Sequence, residues 1–197
     1  MTSTTSPSIS TVSVADKERA VATMLTAFSS DPVIRWILPD PQQYLTYFPE
    51  VVRLLCGKGF EDQSAFAVEG FMGAALWLRP GVEANGESLG ELTQRAVPEM
   101  DHEKVFEFLD QLDEYHPDEP LWYLPMIGVD PTGQGMGLGS ALLAHALAGV
   151  DREAKPAYLE ASSERSRDLY TRHGFELIGT IQVADSPPIF PMLRKAR

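Results

Sequence analysis

The sequence predicts one α/β domain of the α+β kind, a mixed sheet of strands flanked by helices. Three observations carry this. An apolar run at 121–129 passes through clustered glycines, Gln134-Gly135-Met136-Gly137-Leu138-Gly139-Ser140, into a helical pattern at 141–147. A second strand-then-helix unit follows at 156–161 and 162–175. Earlier, 64–68 and 71–78, joined at Glu69-Gly70, alternate and break as a hairpin does. A chain of 197 residues is the size of one such domain and can bury a substantial core.

The elements justify themselves in order. Residues 1–9 are polar and rich in Ser and Thr, and are expected to form a disordered tail, with the domain spanning 10–197. The first strand begins at Ile9 and leans on Val12 and Val14. Asp16 opens a helix whose apolar face holds Ala20, Val21, Met24, Leu25 and Phe28. Asp31-Pro32 starts a short helical turn at 33–38. A longer helix over 42–57 follows, bent near Pro49. After the hairpin a helix is predicted over 87–96. Another covers 100–115, where Val105, Phe108, Leu109 and Leu112 recur at helical spacing. The two strand–helix units come next, and two strands, near 175–183 and 189–193, close the chain.

Composition excludes several function classes. The net charge of −12 opposes nucleic-acid binding, which needs a basic footprint, and opposes docking on an anionic membrane. No run approaches the ~18 apolar residues of a membrane span. The first residues lack the charged and apolar regions of a secretory leader, so cytoplasmic residence is expected. The single cysteine, Cys56, permits no internal disulfide and reads as a small core residue. No His, Asp and Glu cluster has metal-ligand spacing, so no metal is expected. His145 and His173 read as residues of helices.

The glycine turn carries the chemistry. Glycines let main chain approach an anion closely, and the first amides of the following helix have no internal acceptor. An NTPase phosphate loop requires a lysine before the Ser or Thr, but Gly139 precedes Ser140. A dinucleotide turn requires G-x-G-x-x-G, which the spacing Gly135-x-Gly137-x-Gly139 does not match.

Gln-x-x-Gly-x-Gly after a strand ending at Val129 resembles instead the GNAT superfamily of acetyl-CoA-dependent N-acetyltransferases. The later run Leu169-Tyr170-Thr171-Arg172-His173-Gly174-Phe175 is similar to the helix and Gly-Phe pair of the same family. A narrower resemblance, over about 14–194, is to puromycin N-acetyltransferase and its relatives. It rests on Ala27-Phe28 with Asp31-Pro32, Gly81-Val82-Glu83, His116-Pro117 before 119–124, and Leu159-Glu160-Ala161-Ser162. The resemblance implies a mostly antiparallel sheet of six to seven strands whose central pair splays apart to admit a pantetheine arm.

By that resemblance, main-chain groups of Ile127, Gly128 and Val129 pair with the arm of acetyl-CoA. Amides of Gln134, Gly135, Met136, Gly137, Leu138, Gly139 and Ser140 hold the diphosphate. Gln134 stands where many relatives carry arginine, and supplies a hydrogen bond without charge. Ser163 stands where relatives often use a longer asparagine. Tyr170 is the expected general acid for the departing thiolate. Packing in the core, with the hydroxyl on a backbone group, is the other reading of this tyrosine.

A glutamate that some histone-acetylating relatives use as base falls near Tyr123, which is not acidic. Glu160 is the first candidate base and His116 the second; a structural ion pair explains Glu160 equally well. The 99–119 segment carries nine acids against one lysine, either as a solvated helix face or as a pocket wall that attracts a cation. The expected partner is a small-molecule amine substrate, and the protein is expected to be a monomer or homodimer. Two other functions remain open: acetylation of a protein or peptide, and a non-catalytic acyl-CoA sensor of the same fold.

Overall fold

The structure, a computed structural model, describes residues 7–197. The predicted tail lies largely outside the described residues, but Ser8 and Ile9 are held in the sheet. The Glu69 amide donates to the Ser8 carbonyl, and Ile9 pairs with Val68.

Among the described residues seven strands form one sheet: β1 (Ile9–Thr11), β2 (Ala65–Val68), β3 (Gly73–Leu78), β4 (Trp122–Val129), β5 (Ala157–Ala161), β6 (Glu176–Leu177) and β7 (Phe190–Arg194). Their order is β1-β2-β3-β4-β5-β7-β6, antiparallel throughout except for β4 and β5. The helices are α1 (Lys17–Ala27), α2 (Pro32–Ile37), α3 (Pro41–Glu61), α4 (Gly86–Ala96), α5 (His102–Tyr115), α6 (Leu138–Arg152) and α7 (Glu164–Arg172).

Alternation in the strands sorts the core into two faces. Ala75 and Trp77 of β3 cluster with Leu142, Leu143, Ala146 and Leu147 of α6. Ala74 and Leu76 cluster with α1 and α3 on the opposite face. On α3, Tyr44, Phe48, Val52, Cys56 and Phe60 recur every fourth residue and are all buried, so one stripe spans the helix through Pro49. Burial pushes the Cys56 thiol pKa up, as the core assignment requires. A third cluster joins Val33 of α2 and Phe108 of α5 to Ile181, Val183 and Ile189 near the chain end.

Two expectations fail at the ends of strands. Val12 is buried, but Val14 is 61% exposed because the chain turns into a 3-10 turn at Val14–Asp16, capped by Ser13, and loses its strand alternation. The strand predicted over 175–183 is reduced to Glu176–Leu177 plus a single bridge from Ile181 to Ile189.

The strands that position the site part company early. β4 and β5 pair only at Trp122↔Ala157 and Tyr123↔Tyr158. On its other side β4 continues along β3, but the register shifts between Leu76↔Met126 and Leu78↔Tyr123. That shift places an extra residue in β4 around Leu124-Pro125. Proline has no N–H for the ladder and a bulge bends its strand, so β4 turns away from β5 immediately after Tyr123.

Candidate active site

The gap between β4 and β5 opens a cavity of about 1100 Å³. Ile127, Gly128, Val129, Gln134, Glu160, Ser163 and Tyr170 all line it, so residues separated by more than forty positions meet in one place. On β4, alternate main-chain groups face β3 and the rest face the gap, where no strand accepts them. Gly128 has to be glycine here, since a Cβ would lie 2.6 Å from the Ala27 Cβ of α1.

At the mouth of the gap the chain turns through Gly135 and Gly137, both at φ +81°, the left-handed region that glycine adopts without cost. Nothing lies within 4 Å of a Cβ built on either, so their outer side is open. Gly137 caps α6, and the first helical bond runs from the Ala141 amide to the Gly137 carbonyl. The amides of Leu138, Gly139 and Ser140 therefore have no helical acceptor. Met136 points its side chain into solvent at 70% exposure, and its amide donates to the Gly133 carbonyl at 3.4 Å. The Ser140 hydroxyl is engaged with His173 Nε2 at 2.8 Å. These open amides and left-handed glycines fit a diphosphate.

On the other side, Ser163 caps α7. Its hydroxyl accepts from the Ser166 amide at 3.2 Å and shares a 3.0 Å contact with the Ser166 hydroxyl. Ser162 donates instead to Asp31 at 2.5 Å, tying the α7 loop to the start of α2. Asp31 also accepts from the Val33 and Ile34 amides. Burial raises its pKa, against the lowering effect of those three donors. The sequence marks Asp31-Pro32 as a helix start and as part of the family resemblance, not as a partner of Ser162. Its partner lies 131 residues away, and no local pattern could have paired them.

Tyr170 is 7% exposed and packs edge-on against Phe175, with ring centroids 6.1 Å apart. Burial raises its hydroxyl pKa, and the charges of Asp31 and Glu160 raise it further, so the phenol keeps its proton.

Glu160 accepts a hydrogen bond from the Tyr123 hydroxyl at 3.0 Å. Its partner is thus a phenol and not a cation, which removes the ion-pair reading. The carboxyl keeps some surface open to the cavity but is enclosed by protein mass. Burial pushes its pKa up to about 7, opposed by the phenol and helped by the charge of Asp113. Tyr158, two residues earlier on the same face of β5, buries a hydroxyl beside this carboxyl that completes no hydrogen bond. His116 stacks edge-on against Tyr123 and Tyr158, at 5.0 and 4.9 Å. Its Nδ1 lies 3.2 Å from the Pro117 carbonyl, an acceptor, so Nδ1 carries a hydrogen. The position that lacked an acid in the sequence is therefore filled by Tyr123, whose hydroxyl reaches an acid on the next strand.

The acidic segment divides. Asp110, Asp113, Asp118 and Glu119 border the cavity together with Glu83, exposed at its rim, while Glu99, Glu103, Glu107 and Glu114 do not. Phe28, Phe48, Phe106 and Phe108 supply apolar wall. Among the described residues no Lys or Arg lines the cavity.

Comparison with known proteins agrees with this geometry. A family model described as Acetyltransferase (GNAT) domain matches residues 99–177, the stretch holding β4, the glycine turn, β5 and α7. An uncharacterised N-acetyltransferase of Schizosaccharomyces pombe is 27% identical over 184 residues, covering 83% of this chain and 72% of the relative. The crystal structure of histone acetyltransferase HPA2 and related acetyltransferase from Corynebacterium glutamicum superposes with TM-score 0.70 at 26% identity, covering 98% of each chain. A Drosophila melanogaster polyamine N-acetyltransferase shares the fold with TM-score 0.67 at 13% identity, over 95% of this chain and 99% of that one. The parted strands and the open glycine turn lie within the stretch that matches the GNAT acetyltransferase domain, and the chain as a whole is similar to N-acetyltransferases in sequence and to GNAT-type structures in fold.

Proposed function

We propose that the protein moves the acetyl group of acetyl-CoA to a primary amine of a small, cationic, partly apolar molecule by direct attack. The observation that carries this is the acceptor half of the cavity. Its rim holds five carboxylates, its wall is aromatic, and helices α4 and α5 contribute Leu89, Thr93, Phe106 and Leu109 to close it over. A cation gains from such a rim, and a body with an aromatic or aliphatic part gains from such a wall.

Glu160 takes the proton from the bound ammonium. With a pKa near 7 it is partly ionised at neutral pH and can both accept and release a proton. The freed amine attacks the thioester carbonyl, whose developing oxyanion is stabilised by main-chain donors of 127–129. As the C–N bond forms and the C–S bond breaks, Tyr170 donates its proton to the thiolate. The second proton, lost by the nitrogen as the amide forms, returns to the Tyr170 oxygen, and the proton on Glu160 leaves through the open cavity, which restores both groups. His116, edge-on to Tyr123 and Tyr158, stands next to the Tyr123–Glu160 pair as the second candidate base.

The name of the Corynebacterium neighbour favours a second reading, acetylation of protein lysines. A peptide acceptor needs an open groove, and the cover by α4 and α5 speaks against one. A panel of small amines, puromycin included because of the residue runs it shares, is to be compared with a lysine-containing peptide by following thiol release. Small cationic amines should react faster, with kcat/KM falling as salt rises, because the rim acids are exposed and screened within about 10 Å at 0.1 M. Reaction with peptides alone would move the assignment to protein acetylation.

A further inference from the structure

We propose that Arg165 binds the diphosphate of acetyl-CoA, supplying the positive charge that the glycine turn lacks; this rests on the acetyl-CoA reading above. No Lys or Arg occurs between Lys104 and Arg152, so β4, the turn and nearly all of α6 bring no cation to a doubly charged group. The cavity has none either, and the whole chain carries −12. Amides and Gln134 satisfy phosphate oxygens but leave this unfavourable field in place.

Arg165 lies in the first turn of α7 and reaches across the mouth of the gap. Its Nη1 donates to Gln134 Oε1 at 3.4 Å, and Gln134 Nε2 donates to the Val129 carbonyl at 3.4 Å. This relay joins α7 to the end of β4 directly beside Gly135 and Gly137. Both contacts are long and between exposed groups, so either exchanges readily for a phosphate oxygen. A guanidinium has five N–H donors in a planar fork, and the contact with Gln134 uses one. The neighbouring Arg167 is already engaged, with Glu164 and Asp168 at 4.0 and 3.6 Å and the Phe190 ring at 5.0 Å. Among the described residues Arg165, unlike Arg167, forms no ion pair within 4.0 Å. An uncommitted cation beside an open anion cradle, in a strongly acidic chain, is placed for the ligand.

The test compares wild type, Arg165→Gln and Arg165→Lys, each checked for folding by its thermal midpoint. Calorimetry is run with CoA and with 3′-dephospho-CoA, which keeps the diphosphate, and pantetheine, which has neither phosphate, is followed by thermal shift. Arg165→Gln should weaken both CoA and dephospho-CoA by roughly tenfold, flatten the salt dependence of binding and leave pantetheine unchanged. Arg165→Lys should recover part of the loss. A loss for CoA but not for dephospho-CoA would assign Arg165 to the 3′-phosphate and overturn the proposal, as would unchanged affinity for both or an equal loss for all three. Wild type that binds no CoA at all would remove the parent reading instead.

Discussion

Tyr123 on β4 donates its hydroxyl to the Glu160 carboxyl on β5 at 3.0 Å, next to the last rung the two strands share. The contact holds the carboxyl in the wall of the gap at the point where β4 turns away. It lowers the Glu160 pKa, yet burial exceeds it and leaves the group near 7.

Glu160→Gln tests that balance through stability. The folded pKa of about 7 lies above the reference 4.5, so the unfolded chain ionises first as pH rises. Below the unfolded value both states hold the proton and there is no penalty. Between the two values the folded state is progressively destabilised, by up to roughly 3 kcal/mol above the folded pKa. Glutamine keeps an acceptor for Tyr123 and cannot ionise. Its gain in urea midpoint over wild type should therefore be small at pH 4 and grow toward pH 8. A gain independent of pH would show that Glu160 is not raised.

The same variant reads the base. Acetylation by wild type should show an acid limb near pH 7 in kcat/KM, and Glu160→Gln should lose that limb with a fall of about 10²–10⁴ in rate. If the limb persists, His116 takes the role.

Tyr170→Phe removes only the hydroxyl from a ring whose packing is against Phe175. The thermal midpoint and CoA affinity should change little, while kcat falls by roughly 10²–10⁴. Normal turnover in this variant would transfer protonation of the thiolate to water.

Gly137→Val adds a β-branched side chain at φ +81°, with open space around its Cβ. The cost to the fold is backbone strain of about 1–3 kcal/mol. Calorimetry should show acetyl-CoA binding weakened at least tenfold, about 1.4 kcal/mol, as the side chain fills the approach to the amides. Unchanged affinity in the folded variant would take the diphosphate away from the turn.

The sequence by itself determined what depends on near neighbours. The glycine turn, the helix start at Asp31-Pro32 and the helical spacing of Val105, Phe108, Leu109 and Leu112 arise from contacts within a few residues, so their signals sit in short windows of the chain. The same locality explains the error at Val14, where a strand's alternation and a capped turn compete over six residues. Tertiary structure alone decided which side chains share the gap. The parallel register Tyr123↔Tyr158 sets Tyr123 against Glu160, 37 positions apart, and the bulge at Leu124-Pro125 then opens the space beside them. Asp31 meets Ser162 across 131 positions and Gln134 meets Arg165 across 31. Such pairs form when the sheet closes and the helices fold over its edge, because burial then rewards contacts that local chain geometry never samples.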